Sequence, residues 1–209
     1  IYIQPSDWAA QVWIELGFRD LPLRSFPVGI NTKRFCPSET TNENEDVLVY
    51  HKYRELNDLS LVCKLLDDNK LIHRIFDYKK GYTEEQYLSC LNNSRFGIWV
   101  GCHESQGIAL QEALSMNVPL LVWNVTAMKQ ATDLKFMHRV KAGRLKTRAT
   151  TTPYWSERCG LHFYGEESLE PTFRRFMDQL NTFTPRTFVV NELSIDKQCR
   201  EFIELFESI

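Results

Sequence analysis

Glu104 and Glu112 lie in the stretch GCHESQGIALQEALSMNVPLLVW, residues 101–123. The stretch holds the end of an apolar strand, a polar turn, an apolar helix opening near Gly107 and a second apolar strand. A carboxylate in the turn and another about one turn inside the helix can face one cleft at different depths. Each carboxylate accepts two parallel hydrogen bonds, which matches a pair of neighbouring sugar hydroxyls. The amides of Gln106, Gly107 and Ile108 are free of helix partners and aim at anything anionic. Gly107 has no Cβ and lets the backbone approach closely. Hydroxyls at the carboxylates and phosphate at the helix end are the combination that a nucleotide-diphospho-sugar requires. The competing reading makes Glu104 a charge favoured by the helix dipole and Glu112 a solvated helix residue. Spacing alone does not separate the two. Glu112, however, stands among Ile108, Ala109, Leu110, Ala113 and Leu114, which read as packed, and a packed carboxylate needs partners.

The elements that must position these groups alternate regularly. Strands are expected at 47–51 (VLVYH), 71–78 (LIHRIFDY), 96–100 (FGIWV) and 119–123 (PLLVW), with a last one at 161–164 (LHFY). Helices are expected from Asp58 to Leu66, over 83–91 and around Glu112. The strands are near-continuous apolar runs, as strands buried on both faces should be. Strict succession with short links implies an α/β fold, a Rossmann-like parallel sheet with helices on both faces. Open parallel sheets bind ligands beyond the carboxyl ends of their strands, and HESQG lies at such a position. Ahead of this unit, IYI reads as a strand and SDWAAQVWIELGF as a helix with Ser6 as N-cap. Residues 38–46 (SETTNENED) read as a polar connector, and 168–209 as a helical C-terminal tail interrupted at Pro185.

Composition narrows the classes. A formal charge of −2 over 209 residues gives no argument for nucleic acid. The six cysteines, at 36, 63, 90, 102, 159 and 199, have no metal-type spacing and read as reduced core thiols of a cytoplasmic protein. No run approaches the ~18 apolar residues of a transmembrane segment. The chain begins with Ile1 rather than Met, so it is expected to be excised from something longer.

The residues Glu104-Ser105-Gln106-Gly107, then Glu112-Ala113-Leu114, then Pro119-Leu120-Leu121-Val122 resemble the E-x7-E signature of retaining glycosyltransferases of the GT-B fold, most closely the large family four. Upstream, Phe26-Pro27-Val28-Gly29-Ile30-Asn31-Thr32, with Phe35 and Pro37, is similar to that family's entry into its C-terminal, donor-binding half. Tyr50-His51-Lys52-Tyr53-Arg54 is similar to the place where the family keeps basic residues for the diphosphate. The likeness covers about residues 22–165, and the tail resembles a bacterial and large algal virus subgroup.

The resemblance implies a domain at 22–209 that binds a UDP- or GDP-sugar and transfers the sugar to a glycan acceptor with retention. Residues 1–21 would be a remnant or cap of a preceding domain. Glu112 would bind the ribose hydroxyls and Glu104 the transferred sugar. Ser105 and the amides of Gln106, Gly107 and Ile108 would cradle the phosphates, and Lys52 and Arg54 would neutralise the departing diphosphate. Tyr78 and Tyr82, in YKKGY, would flank the base, although an ordinary turn at Gly81 accounts for that stretch as well. No metal and no cofactor is implied. Lys52 and Arg54, two apart on a continuing strand, would face the same side. Only one of the family's two domains is present, so a neighbouring domain or chain is expected to supply the acceptor site. A non-catalytic nucleotide-sugar-binding or scaffold module is the alternative. A nicotinamide dehydrogenase is disfavoured, since no G-x-G-x-x-G follows the first strand.

Other features read as structural. The basic stretch 129–148 is expected to be a solvated helix, His103 a structural neighbour of Glu104, and the sequons at Asn92 and Asn124 accidental. The five tryptophans read mostly as core, with Trp155 the one placed to stack on a sugar ring.

Overall fold

The computed structural model describes residues 1–38, 46–130 and 145–208. Most of the polar connector and most of the basic stretch 129–148 lie outside the described residues.

The main sheet has five parallel strands, β3 (Asp46–His51), β4 (His73–Asp77), β5 (Ser94–Val100), β6 (Leu120–Trp123) and β7 (Gly160–Phe163), in the spatial order β4-β3-β5-β6-β7. A separate pair of parallel strands, β1 (Tyr2–Gln4) and β2 (Leu23–Ser25), flanks α1 (Asp7–Glu15) in sequence. The remaining helices are α2 (Leu56–Asp68), α3 (Glu84–Asn92), α4 (Ile108–Ser115), α5 (Glu166–Gln179), α6 (Pro185–Glu192) and α7 (Ile195–Glu207).

Alternation along each strand feeds two cores. Leu48, Tyr50, Trp99, Leu120 and Val122 point to one face, where Tyr87 and Leu91 of α3, Leu110 and Leu114 of α4 and Val189 of α6 meet them. Val47, Val49, Ile98, Leu121 and Trp123 point to the other, against Val62 and Leu66 of α2 and Phe173 and Phe176 of α5. Burying such side chains fully stabilises by roughly 1.5–3 kcal/mol each. The apolar runs of the sequence therefore serve two helical layers at once, which is why they show no polar face. At Gly160, where φ is +135°, a Cβ would sit 1.9 Å from the Leu120 carbonyl oxygen, so only glycine lets β7 pair closely with β6.

Some sequence expectations shift. The first helix of the main unit starts at Leu56 rather than Asp58, and the tail forms three helices, with Pro171 inside α5 and Pro185 in the first turn of α6. Ser6 stands at the N-cap of α1, but its hydroxyl makes no capping bond and is buried without a partner among the described residues. Trp13 is exposed, packing edge-on to Tyr2 and Phe18 at the surface. Among the cysteines, Cys90, Cys102 and Cys159 are buried and free, whereas Cys36 and Cys199 are exposed. Among the described residues, no helix is long and apolar enough to cross a membrane.

The strand order reverses at the β3/β5 boundary, since the chain moves outward to β4 and then back past β3 to β5. Such a reversal is where open parallel sheets place a ligand crevice, here between the loops that follow β3 and β5.

Candidate active site

Both of those loops carry charge into the crevice. Lys52 follows β3, and its backbone N–H donates to the Val100 carbonyl at 3.0 Å. Glu104 follows β5 and is fixed through both backbone groups. Its N–H donates to the Thr150 carbonyl, and its own carbonyl accepts from Trp8 Nε1, each at 2.9 Å. The Lys52 ammonium lies 2.9 Å from each oxygen of the Glu104 carboxylate. Burial opposes both charges, pushing the carboxyl up and the ammonium down. Glu104 outweighs that effect on Lys52 and holds the ammonium above its ordinary value, while the Glu104 carboxyl stays above the usual carboxylate range.

The turn into α4 supplies bare amides. Gly107 is the N-cap residue and adopts a left-handed conformation, φ +81° and ψ +50°. Among the described residues, no protein group accepts from the N–H of Gln106, Gly107 or Ile108. The Gln106 side chain is not part of the cradle. It is buried and grips Val28 from both sides, accepting from the Val28 N–H at 2.8 Å and donating to the Val28 carbonyl at 2.6 Å. Gln111 braces it from α4 by donating to the Gln106 carbonyl. Ser105 is exposed.

Glu112 is half-buried on α4 and, among the described residues, accepts no hydrogen bond from the protein. Burial, with the Glu84 carboxylate at the start of α3 adding to it, raises its carboxyl to about 7. Its charge also bears on the hydroxyls of Tyr82 and Tyr87. The Tyr82 hydroxyl lies 2.7 Å from that of Tyr50, and Tyr50 in turn senses Glu104. The hydroxyl pair thus senses both glutamates, Glu104 through Tyr50 and Glu112 through Tyr82. Tyr50 was not singled out in the sequence, although a hydroxyl inside the otherwise aliphatic run VLVYH must find a partner when buried.

Lys52 and Arg54 do not share a target. The strand ends at His51, and Tyr53 has φ +53°, a conformation that costs a bulky residue about 1–3 kcal/mol. Its neighbours impose it. His51 Nε2 binds the Arg54 carbonyl at 3.0 Å, and the Arg54 guanidinium donates to Asp58 at 2.7 Å and covers the Trp123 ring at 4.6 Å. Strand alternation fails here because the loop folds back around His51. Tyr78, partly exposed at the end of β4, carries the Lys52 ammonium 4.5 Å from its ring centroid. His103 packs edge-on to Trp8, and burial lowers its pKa. Trp155 lies against His162, with ring centroids 4.5 Å apart. Asn124 is buried, its side-chain oxygen accepting from Thr150 and Thr151. Among the described residues, no three His, Cys, Asp or Glu side chains gather as a metal-binding cluster.

No protein-family model and no curated protein sequence matches the chain. Solved structures do. TarM from S. aureus, as a point mutant in complex with fondaparinux, alpha-GlcNAc-glycerol and UDP, superposes with a TM-score of 0.63 at 11% identity, over 98% of this chain and 43% of that one. Sucrose-phosphate synthase from Thermosynechococcus elongatus gives 0.58 at 12% identity, over 99% of this chain and 57% of that one. The pneumococcal O-GlcNAc transferase GtfA, in complex with UDP and GlcNAc, gives 0.56 at 10% identity, over 95% and 42%. These are glycosyltransferases of the GT-B architecture, and the chain has the α/β fold of that architecture, a parallel sheet flanked by helices with a helical C-terminal end. It spans about half the length of the structures it matches.

Proposed function

We propose that the chain is the donor-binding part of a retaining, metal-independent hexosyltransferase acting on a UDP- or GDP-sugar in the cytoplasm. What supports this reading is an ion-paired lysine beside a corner of bare amides at the β3/β5 reversal, with a carboxylate on α4 that accepts no hydrogen bond from the described residues. A diphosphate placed on the amides of Gln106, Gly107 and Ile108, with Ser105 at the rim, would reach the Lys52 ammonium. Glu112 would take the ribose diol, whose two donors match what its carboxylate lacks. Glu104 would contact the transferred sugar, giving up part of its pairing with Lys52 as the diphosphate arrives. Tyr78 and Tyr82 would flank the base.

In the reaction, the bond between the anomeric carbon and the diphosphate oxygen breaks, and its electron pair leaves with the diphosphate. Lys52 and the helix end would stabilise that growing charge, as preorganised donors do. We assign Arg54 to holding the loop through Asp58 and Trp123, behind Lys52. The acceptor hydroxyl of a glycan would attack the same face of the sugar, and its proton would pass to the departing diphosphate oxygen. A neighbouring domain or chain would hold that acceptor.

The experiment is turnover of UDP- and GDP-sugars with Glu112→Ala and Lys52→Ala as controls. Glu112→Ala is expected to weaken donor binding, and Lys52→Ala to slow release of the nucleotide diphosphate. Turnover that survives both substitutions contradicts the assignment. The alternative reading is a nucleotide-sugar-binding or scaffold module without transfer activity. Saturable donor binding with no turnover in the longest natural form of the polypeptide would select it.

A further inference from the structure

Tyr53 has no role in the reading above, yet the loop is built around it. On either side of its left-handed backbone, φ +53°, Lys52 binds Glu104 and Arg54 binds Asp58. Its ring stands edge-on to Tyr78, with centroids 5.3 Å apart at 71°. Two ammoniums flank this pair. Lys52 lies 4.5 Å from the Tyr78 centroid and Lys79 5.8 Å from that of Tyr53. Two phenol rings and two cations therefore crown the carboxyl ends of β3 and β4, beside the Lys52–Glu104 pair.

The geometry points to Tyr53 as the residue that fixes the nucleobase, an inference that rests on the donor-site reading. A phenol face stacks on a flat heteroaromatic ring largely without regard to its identity. The flanking ammoniums suit a ring that carries phosphates close by and offer little to a neutral pyranose. Lys52 sits between the two halves of the site, with Glu104 on one side and the tyrosines on the other. A donor laid across it puts sugar at Glu104, diphosphate at Lys52 and base against Tyr53 and Tyr78.

The test uses calorimetric titration of the whole chain with UDP, GDP, a UDP-sugar and base-free inorganic pyrophosphate. Tyr53→Gly removes the ring while its backbone accepts the same φ, and Tyr53→Phe keeps the ring. The expected result is that Tyr53→Gly loses roughly tenfold or more in nucleotide affinity. Pyrophosphate affinity stays within about twofold, and Tyr53→Phe restores nucleotide binding, as an aromatic contact requires. Equal losses for nucleotide and pyrophosphate would leave Tyr53 only the task of aiming Lys52, and overturn the inference. So would unchanged nucleotide affinity in Tyr53→Gly, or a loss confined to the UDP-sugar. A wild-type chain that binds none of the four ligands defeats the donor-site reading itself, and this inference with it.

Discussion

The Lys52 ammonium is held 2.9 Å from both carboxylate oxygens of Glu104, across the point where the sheet reverses its strand order. A cation in this position is already bound before any phosphate arrives. Donor binding at Lys52, as proposed, would be an exchange of one anion for another. The exchange is favourable only if the amides at the start of α4 and the diphosphate together outweigh the pair.

Lys52 and Arg54 should separate experimentally. Lys52→Ala is expected to weaken UDP binding tenfold or more, and, by leaving the buried Glu104 without its partner, to cost stability as well. Arg54→Ala strips Asp58 of its partner and uncovers Trp123, so it should destabilise the fold by about 3–5 kcal/mol. Nucleotide affinity measured below its melting range should change by less than about threefold, the residual effect of a charge acting from behind. Chemical denaturation and UDP titration of both variants check the contrast.

Glu112 makes stability fall as pH rises through a defined window. Its carboxyl titrates at about 7 in the fold, against 4.5 ordinarily. Between those values the folded state binds more protons than the unfolded one, so stability drops with rising pH. Glu112→Gln removes this contribution. At pH 8 the variant should melt about 2–4 °C above wild type, for roughly 1 kcal/mol once solvent screening of the half-exposed carboxyl is allowed for. At pH 4 the two should coincide, and melting curves across the range provide the check.

Gly107→Ala tests the amide corner. The added methyl would meet only side chains, the nearest being that of Glu104 at an ordinary 3.5 Å. The penalty therefore comes from the left-handed backbone, at about 1–2 kcal/mol. Stability should fall by that amount. If the corner turns to relieve the strain, UDP affinity should fall with it, and calorimetry on the folded variant measures both.

The Tyr50–Tyr82 contact ties the crevice to the core. Tyr50 is buried and stacks on Trp99 at 3.9 Å, while Tyr82 is half-exposed. Tyr50→Phe leaves the Tyr82 hydroxyl able to turn to solvent, and should cost about 1 kcal/mol. Near-ultraviolet circular dichroism and denaturation report the change.

Much of this architecture was legible in the sequence for one reason. Strands buried on both faces leave no polar alternation, so VLVYH, FGIWV and PLLVW read as parallel strands without further help. The position of HESQG beyond a strand end followed from the same pattern. What escaped depended on partners far away in the chain. The left-handed turn at Tyr53 is set by His51, Asp58 and Trp123 together, and no local propensity announces it. Strand alternation accordingly placed Lys52 and Arg54 on one side, and the fold separates them. The side-chain amide of Gln106 closes on Val28, 78 positions earlier, a contact that no local pattern announces. Trp8 packs against the small core of Val125, Met128 and Ala149, as its type suggests, but that its indole N–H also holds the Glu104 carbonyl is not readable locally.

The measurement that bears most directly on the donor site is a titration of the isotopically labelled chain with UDP, followed by amide NMR. Saturable shifts should be largest at Gln106, Gly107 and Ile108, with smaller ones around Lys52 and Glu112. No saturable shift, or shifts gathered on another face of the sheet, would contradict the site.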